Sequence, residues 1–184
     1  LLAAGPYLRW ALTRPGYPAD PAFSPEERLA LALPSTVYIV RRDPPERLAA
    51  LQHRGAPLYT AAEVSHLEDV RRVIGHLRLA ALLLALTALA ALAARPRAFR
   101  AGLTGGLKAG SLLLLGGLAG LALAVTLAWD WAFTTMHRVF FAEGTWQFSA
   151  DSALIRLFPD AFWYDTAVAL VGLMALQGLT ALLL

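Results

Sequence analysis

Two histidines with ionisable neighbours are the residues of this chain best suited to chemistry. His66 has Glu63 three residues before it and Asp69 three residues after it, so on a helix the three side chains would share one face. His137 is followed by Arg138. An imidazole has a pKa of about 6.5, so it can accept or donate a proton near neutral pH. The pattern predicts a functional pair of histidines. The other interpretation is two ordinary interfacial histidines bonded to carboxylates.

Other kinds of site have weaker support in the sequence. Ser65 is adjacent to His66, but neighbouring residues on a helix point in different directions, and no G-x-S-x-G motif is present. His53 is predicted to be a solvated cation at a helix end, and His76 an interfacial residue. A metal site that joins His137 to the ionisable residues around His66 stays possible, although no H-E-x-x-H motif supports it. The absence of cysteine excludes thiol nucleophiles and thiolate metal sites.

Three apolar stretches are long enough to cross a lipid bilayer. They cover residues 77–94, 102–128 and 166–184, and a helix needs about 20 apolar residues to span the hydrocarbon core. Hydrophobic residues make up 58% of the chain, and its mean hydropathy is +0.54. Residues 1–12 resemble the end of a first membrane helix. The predicted fold class is an all-α integral membrane protein, a four-helix transmembrane bundle with its first helix truncated and a small extracytoplasmic cap.

The charges of the connecting segments predict which side of the membrane they face. Residues 95–108 contain four cations and no acid, and cytoplasmic loops collect Lys and Arg. We therefore predict a cytoplasmic loop at residues 95–101. The cap at residues 13–76 and the aromatic-rich loop at residues 129–165 would then be extracytoplasmic. No basic tract with interleaved aromatics is present, so no nucleic-acid partner is expected.

The cap contains three helix-start signals. Residues 24–27 (SPEE) and 60–63 (TAAE) read as capping boxes, and residues 43–46 (DPPE) repeat the pattern. The helix that starts at residues 43–46 is predicted to stop near Gly55. The helix that starts at residues 60–63 is predicted to run without a break from about residue 61 through the membrane.

One short strand is predicted between the first two helices. Pro34 is expected to end the first helix. The β-branched and aromatic run TVYIV at residues 36–40 is then expected to form a strand that pairs with residues 58–59.

Two sequence blocks together resemble a known family. The first is His66-Leu-Glu-Asp-Val70, and the second runs from His137-Arg-Val-Phe-Phe141 through Trp146-Gln-Phe148 to Leu154-Ile-Arg-Leu-Phe-Pro159. The chain resembles the bacterial lipoprotein intramolecular transacylases, which are small four-helix membrane proteins. The resemblance covers most of residues 20–170.

The resemblance implies an activity and a location. The acyl chain at the sn-2 position of a diacylglyceryl-cysteine lipoprotein would move to the α-amino group of the same cysteine, giving a lyso-form lipoprotein. The expected partners are that lipoprotein and membrane lipid, in the bacterial cytoplasmic membrane, with the active site on the extracytoplasmic side. The two functional histidines would be His66 and His137. Substrate binding, oxyanion stabilisation or orientation of the histidines is expected of Glu63, Asp69, Arg138 and Trp146.

Histidine chemistry suits this reaction. An α-amino group has a pKa of about 7.7–8.0, so a base of similar strength can take its proton during attack on the ester. An amide is more stable than an ester, so no cofactor is needed to drive the reaction. We also expect no metal in the site. Two alternatives remain: a non-enzymatic lipid-binding or assembly membrane protein, and a metal-dependent membrane hydrolase.

Overall fold

The computed structural model describes residues 4–41, 43–94 and 97–183. Nearly all of the regular structure in these residues is helical. The elements in chain order are α1 (Ala4–Thr13), α2 (Pro25–Val40), α3 (Pro45–Ala49), β1 (Gln52–His53), β2 (Ala56–Pro57), α4 (Ala61–Ala94), α5 (Arg97–Leu127), α6 (Trp129–Phe140), α7 (Ala153–Leu157) and α8 (Asp160–Leu182).

Three of these helices are long and apolar enough to cross a membrane. The candidate spans are Ala61–Ala91, Gly105–Leu127 and Asp160–Leu182. Large apolar side chains on them are exposed, as expected of surfaces that face lipid tails; examples are Leu84, Leu113 and Leu176. The predicted all-α membrane class is therefore confirmed. Residues 1–3 of the predicted first membrane helix and residues 95–96 of the predicted cytoplasmic loop lie outside the described residues.

The chain divides into two compact units. The first consists of Leu1–Leu77 and Met136–Asp165, and the second of Arg78–Thr135 and Thr166–Leu184. The first unit contains the buried apolar core, which includes Leu8, Leu48 and Leu157 at 1% exposure or less. In the second unit, Gly178 of α8 approaches Leu115 of α5 so closely that a methyl group at Gly178 would lie 3.2 Å from the Leu115 side chain.

The predicted strand at residues 36–40 is wrong, because α2 continues through it to Val40. Pro34 lies inside this helix, although a proline removes a backbone donor and crowds the preceding turn. Ala32, Ser35 and Tyr38 are buried at helical spacing, and the Ser35 hydroxyl hydrogen-bonds the Tyr59 hydroxyl at 2.7 Å. Packing in the core therefore overrides the β preference of the local sequence.

The helix predicted to run from residues 43–46 to Gly55 is also shorter than expected. Helix α3 ends at Ala49, and its N-cap Pro44 supplies no side-chain hydrogen bond. A β-hairpin with a two-residue turn follows. Strand β1 pairs with β2 in antiparallel register, His53 opposite Ala56. The two turn residues, Arg54 and Gly55, have φ of 52° and 81°, as a type I′ hairpin turn requires.

The predicted aromatic loop at residues 129–165 is largely helical, since α6, α7 and the start of α8 lie within it. Two ion pairs hold the later part of this segment, which belongs to the first unit. Arg14, just after α1, contacts Asp165 at 2.6 Å, and Arg156 of α7 contacts Asp20 at 3.0 Å. Helix α7 is therefore held against the segment that precedes α2.

Candidate active site

His66 lies at the start of the longest helix, which begins where the sequence predicts. The Thr60 hydroxyl accepts a hydrogen bond from the Glu63 amide at 3.3 Å, and the Glu63 carboxylate accepts one from the Thr60 amide at 2.7 Å. This reciprocal capping box fixes the first turn of α4. His66 follows on the same face and is 6% exposed. Ionisable residues precede the apolar stretch that begins at Leu77, so His66 lies on the polar end of the helix.

His137 occupies the last turn of α6 and faces His66. It is 8% exposed, whereas its neighbours Met136 and Arg138 are exposed. The two imidazole centroids lie 6.2 Å apart, with an angle of 25° between the ring planes. Both residues belong to the first unit. The structure thus places the two histidines that the sequence singles out beside each other.

Aromatic rings enclose the histidine pair. The Phe141 ring lies 4.9 Å from the His66 ring and 5.5 Å from the His137 ring. The Phe148 ring packs 5.6 Å from His66, and the Trp146 ring packs 4.7 Å from His137. The pair is therefore shielded from water, which strengthens electrostatic interactions inside the site. Sequence reasoning did not single out Phe141 and Phe148 as site residues, although the four-residue spacing from His137 to Phe141 is a helical signal.

Two polar atoms at the site make no hydrogen bond with any residue that the structure describes. They are Nδ1 of His66 and the indole nitrogen Nε1 of Trp146, and both are buried. Most buried polar atoms in proteins are paired, and each exception calls for an explanation. A bound ligand could supply the missing partner of either atom.

Glu63 connects the start of α4 to α7, the helix that follows Trp146 and Phe148 in the chain. It is 2% exposed. One carboxylate oxygen accepts a hydrogen bond from the Leu154 amide at 2.9 Å, and the other accepts from the amide and hydroxyl of Thr60. Both oxygens are thus used in fixing α7 to the start of α4, and Nδ1 of His66 receives no bond from Glu63.

The family comparison covers this whole arrangement. The model of a family described as "Lipoprotein intramolecular transacylase Lit" matches residues 43–163, a range that includes both histidines and the aromatic residues around them. This chain belongs to the lipoprotein intramolecular transacylase family. The resemblance predicted from the two sequence blocks is confirmed, and a general role in lipoprotein transacylation follows from membership.

The chain is also similar to a protein from another organism. This relative is an uncharacterized protein of Aquifex aeolicus (strain VF5), with 29% identity over 178 residues, which is 96% of this chain and 80% of the relative. No solved structure matches this chain.

The remaining predicted site residues of the transacylase lie farther out. Asp69 forms an ion pair with Arg72 at 2.7 Å, and the Arg72 side chain is 65% exposed. Arg138 is exposed on α6, and Ser65 is exposed on α4. The structure therefore brings His66, His137 and Trp146 together and buries Glu63 one turn before His66 on α4. It leaves Asp69 partly exposed and Arg138 exposed.

The predicted role of His53 needs a correction. It lies in strand β1 rather than at a helix end. Its side chain is 18% exposed and sits 3.8 Å from the Glu27 carboxylate, and its ring packs 4.7 Å from Phe23. His53 is thus a half-buried hairpin residue, because α3 ends four residues before it.

Metal-binding groups of three or more His, Asp or Glu side chains are absent from the parts of the chain that the structure describes. Glu63, which the sequence offers as a possible ligand, uses both carboxylate oxygens in hydrogen bonds. Asp69 pairs with Arg72.

Proposed function

We propose that this transacylase moves the acyl chain from the sn-2 ester of a diacylglyceryl-cysteine lipoprotein to the α-amino group of the same cysteine. The observation that carries the proposal is the buried pair of histidines, with ring centroids 6.2 Å apart, inside the segment that matches the family. The product is a lyso-form lipoprotein with an N-acyl chain and a free glyceryl hydroxyl.

The reaction needs two proton transfers and no external nucleophile. The amine nitrogen attacks the ester carbonyl carbon, and one imidazole takes the proton that the nitrogen loses. The bond from that carbon to the sn-2 oxygen then breaks, and the oxygen receives a proton from an imidazole. Hydrogen bonds of about 2.6–3.2 Å suffice for both transfers. The separation of the rings allows the amine and the ester oxygen to meet different histidines.

Orientation supplies much of the remaining acceleration. Both reacting groups belong to one substrate, so the protein mainly has to hold its amine close to its ester. The aromatic rings of Phe141, Phe148 and Trp146 provide an apolar wall suited to acyl chains near the reacting atoms. Membrane lipid around the three long helices is the second partner of the protein.

The proposed location of the site is the extracytoplasmic side of the bacterial cytoplasmic membrane. The cation excess of residues 95–108 favours a cytoplasmic position for that segment. His66 precedes the apolar stretch that leads into this segment, and His137 follows the apolar stretch that leads out of it, so both histidines would lie on the other side of the membrane. Because the chain has no cysteine, single cysteines report topology cleanly. An impermeant thiol reagent on intact cells should label Glu143→Cys and spare Arg97→Cys. The reverse labelling would overturn this orientation.

The activity is tested by the position of the acyl chain on a co-expressed lipoprotein. Tandem mass spectrometry should find N-acyl monoacylglyceryl-cysteine when the wild-type chain is present. It should find unmodified diacylglyceryl-cysteine when both histidines are replaced by alanine. A lipoprotein that stays diacylated with the wild-type chain favours a lipid-binding role instead. An N-acyl product from the double variant would overturn the histidine mechanism.

A further inference from the structure

The unpaired indole N–H of Trp146 is the feature of the site that proton transfer by histidines leaves unexplained. Trp146 is 9% exposed, and its ring packs 4.7 Å from His137. Its Nε1 is buried and bonds to none of the residues that the structure describes. A buried donor without an acceptor destabilises the folded protein, so a role in binding is a better explanation than packing alone.

The chain fixes this indole with a defined turn. Helix α6 ends at Phe140, and the Thr145 amide then bonds the Ala142 carbonyl oxygen at 3.2 Å. Gly144, the third residue of this turn, has φ of 81°, as the third residue of a type II turn requires. The turn places Trp146 back against the last turn of α6, where His137 lies.

The chemistry of the donor limits the possible acceptors. An indole N–H donates a hydrogen bond and accepts none. The attacking amine uses its only lone pair on the carbonyl carbon, and the two proton transfers occupy the histidines. Among the reacting atoms, the ester carbonyl oxygen is the acceptor that still lacks a donor. Arg138, the cationic candidate for that role, is exposed on α6.

On the basis of the proposed function, we infer that Trp146 is a catalytic residue whose indole N–H hydrogen-bonds the carbonyl oxygen of the sn-2 ester. As the amine attacks, the C=O π pair moves onto this oxygen, and the negative charge strengthens the bond. When the C–O bond to glycerol breaks, the carbonyl of the new amide re-forms. The donor thus stabilises the transition state more than the bound ester.

The test uses purified full-length protein in detergent micelles with a synthetic diacylglyceryl-cysteine lipopeptide. Trp146→Phe keeps an aromatic ring beside His137 and removes the N–H. We expect the maximal rate of N-acyl product formation to fall by about 10²–10³-fold, with little change in the half-saturating lipopeptide concentration. Trp131→Phe is the matched control, because Trp131 is 64% exposed, and it should keep the wild-type rate.

A second replacement separates hydrogen bonding from shape. Benzothienylalanine at position 146 keeps the two fused rings and exchanges N–H for sulfur, and it should lose as much rate as Trp146→Phe. A wild-type rate with benzothienylalanine would overturn the inference, as would a loss confined to the half-saturating concentration. Neither result would affect the proposed function, which fails only if the wild-type protein makes no N-acyl product.

Discussion

Glu63 and His66 lie one helical turn apart on α4, and both are buried, yet their polar atoms differ in how they are used. Both oxygens of Glu63 accept hydrogen bonds, from Thr60 and Leu154. Nδ1 of His66 is buried without a partner among the described residues. The first arrangement stabilises the fold, because buried polar groups are paired. The second leaves an atom that a bound substrate could engage, so the comparison separates residues that hold the fold from residues that we propose to act in the reaction.

The same contrast extends through the first unit. Asp20 and Arg156, and likewise Arg14 and Asp165, form ion pairs that fix α7 and α8. The indole of Trp146, like the imidazole of His66, has a nitrogen with no hydrogen-bond partner in the part of the chain that the structure describes. Substitutions in the ion pairs should therefore affect stability more than activity. Substitutions of His66 or Trp146 should affect activity more than stability.

The largest effect is expected from the histidines. His66→Gln keeps a polar side chain but cannot exchange a proton near neutral pH. We expect acyl migration to fall by about 10²–10⁴-fold, with a thermal unfolding midpoint close to that of the wild type. Lipopeptide conversion followed by mass spectrometry measures the rate. Ser65→Ala is the control, since Ser65 is exposed on the same helix. A loss of activity in Ser65→Ala with normal expression would point to a serine nucleophile instead.

Glu63→Ala should destabilise the protein more than it alters the chemistry. It leaves the buried Leu154 amide and the more exposed Thr60 amide without their acceptor, which we expect to lower the free energy of unfolding by roughly 2 kcal/mol or more. Urea titration in detergent micelles measures this. Glu27→Ala is the matched control, because Glu27 holds the same capping-box position in α2 with a 43% exposed side chain. An equal loss for the two variants would contradict the idea that Glu63 connects α4 to α7.

Asp20→Asn should produce a smaller and pH-dependent loss of stability. Burial raises the pKa of Asp20, but the hydrogen bonds from Arg156 and from the Ala22 amide outweigh it and leave the pKa below its ordinary value. The carboxylate therefore contributes stability above the unfolded-state pKa of about 3.9, and the contribution disappears as the pH falls through the lower folded-state pKa.

Thermal unfolding of the wild type and Asp20→Asn from pH 7 to pH 3 tests this. The difference between them should be about 1 kcal/mol at neutral pH and should shrink below about pH 4. A difference that does not depend on pH would mean that Asp20 acts through its shape rather than its charge.

Whether an interaction of the site could be predicted from the sequence depends on how far apart its two residues lie along the chain. The capping box gave the start of α4 and the position of Glu63, because Thr60 is only three residues away. The bond from Leu154 to Glu63 joins residues 91 apart, and no local pattern encodes it. The two histidines were predicted from residue type and from the resemblance of two sequence blocks to a family. Their separation became known only from the contact of their rings in the structure.

The errors in secondary structure have a related origin. The run at residues 36–40 has β-branched residues, yet it is helical because Ser35 and Tyr38 pack on a helical face against the core. The hairpin was missed because its strands have two residues each, too few for an alternating pattern. The signal that was available is Arg54-Gly55, a turn whose second residue readily adopts positive φ.

The smallest effect is expected from Asp69, which the sequence places beside His66 as a possible orienting carboxylate. In the structure its carboxylate contacts Arg72 at 2.7 Å, and the Arg72 side chain is 65% exposed. Such surface pairs contribute about 0–1 kcal/mol, and Nδ1 of His66 receives no bond from Asp69. Asp69→Asn should therefore leave the lipopeptide rate within about threefold of the wild type, a change below 1 kcal/mol in the activation free energy.

The rate of Asp69→Asn is compared with that of Arg72→Gln, which breaks the same ion pair and leaves the Asp69 carboxylate in place. A hundredfold loss in Asp69→Asn alone would show that Asp69 orients a histidine during the reaction, and Asp69 would then belong with the acting residues.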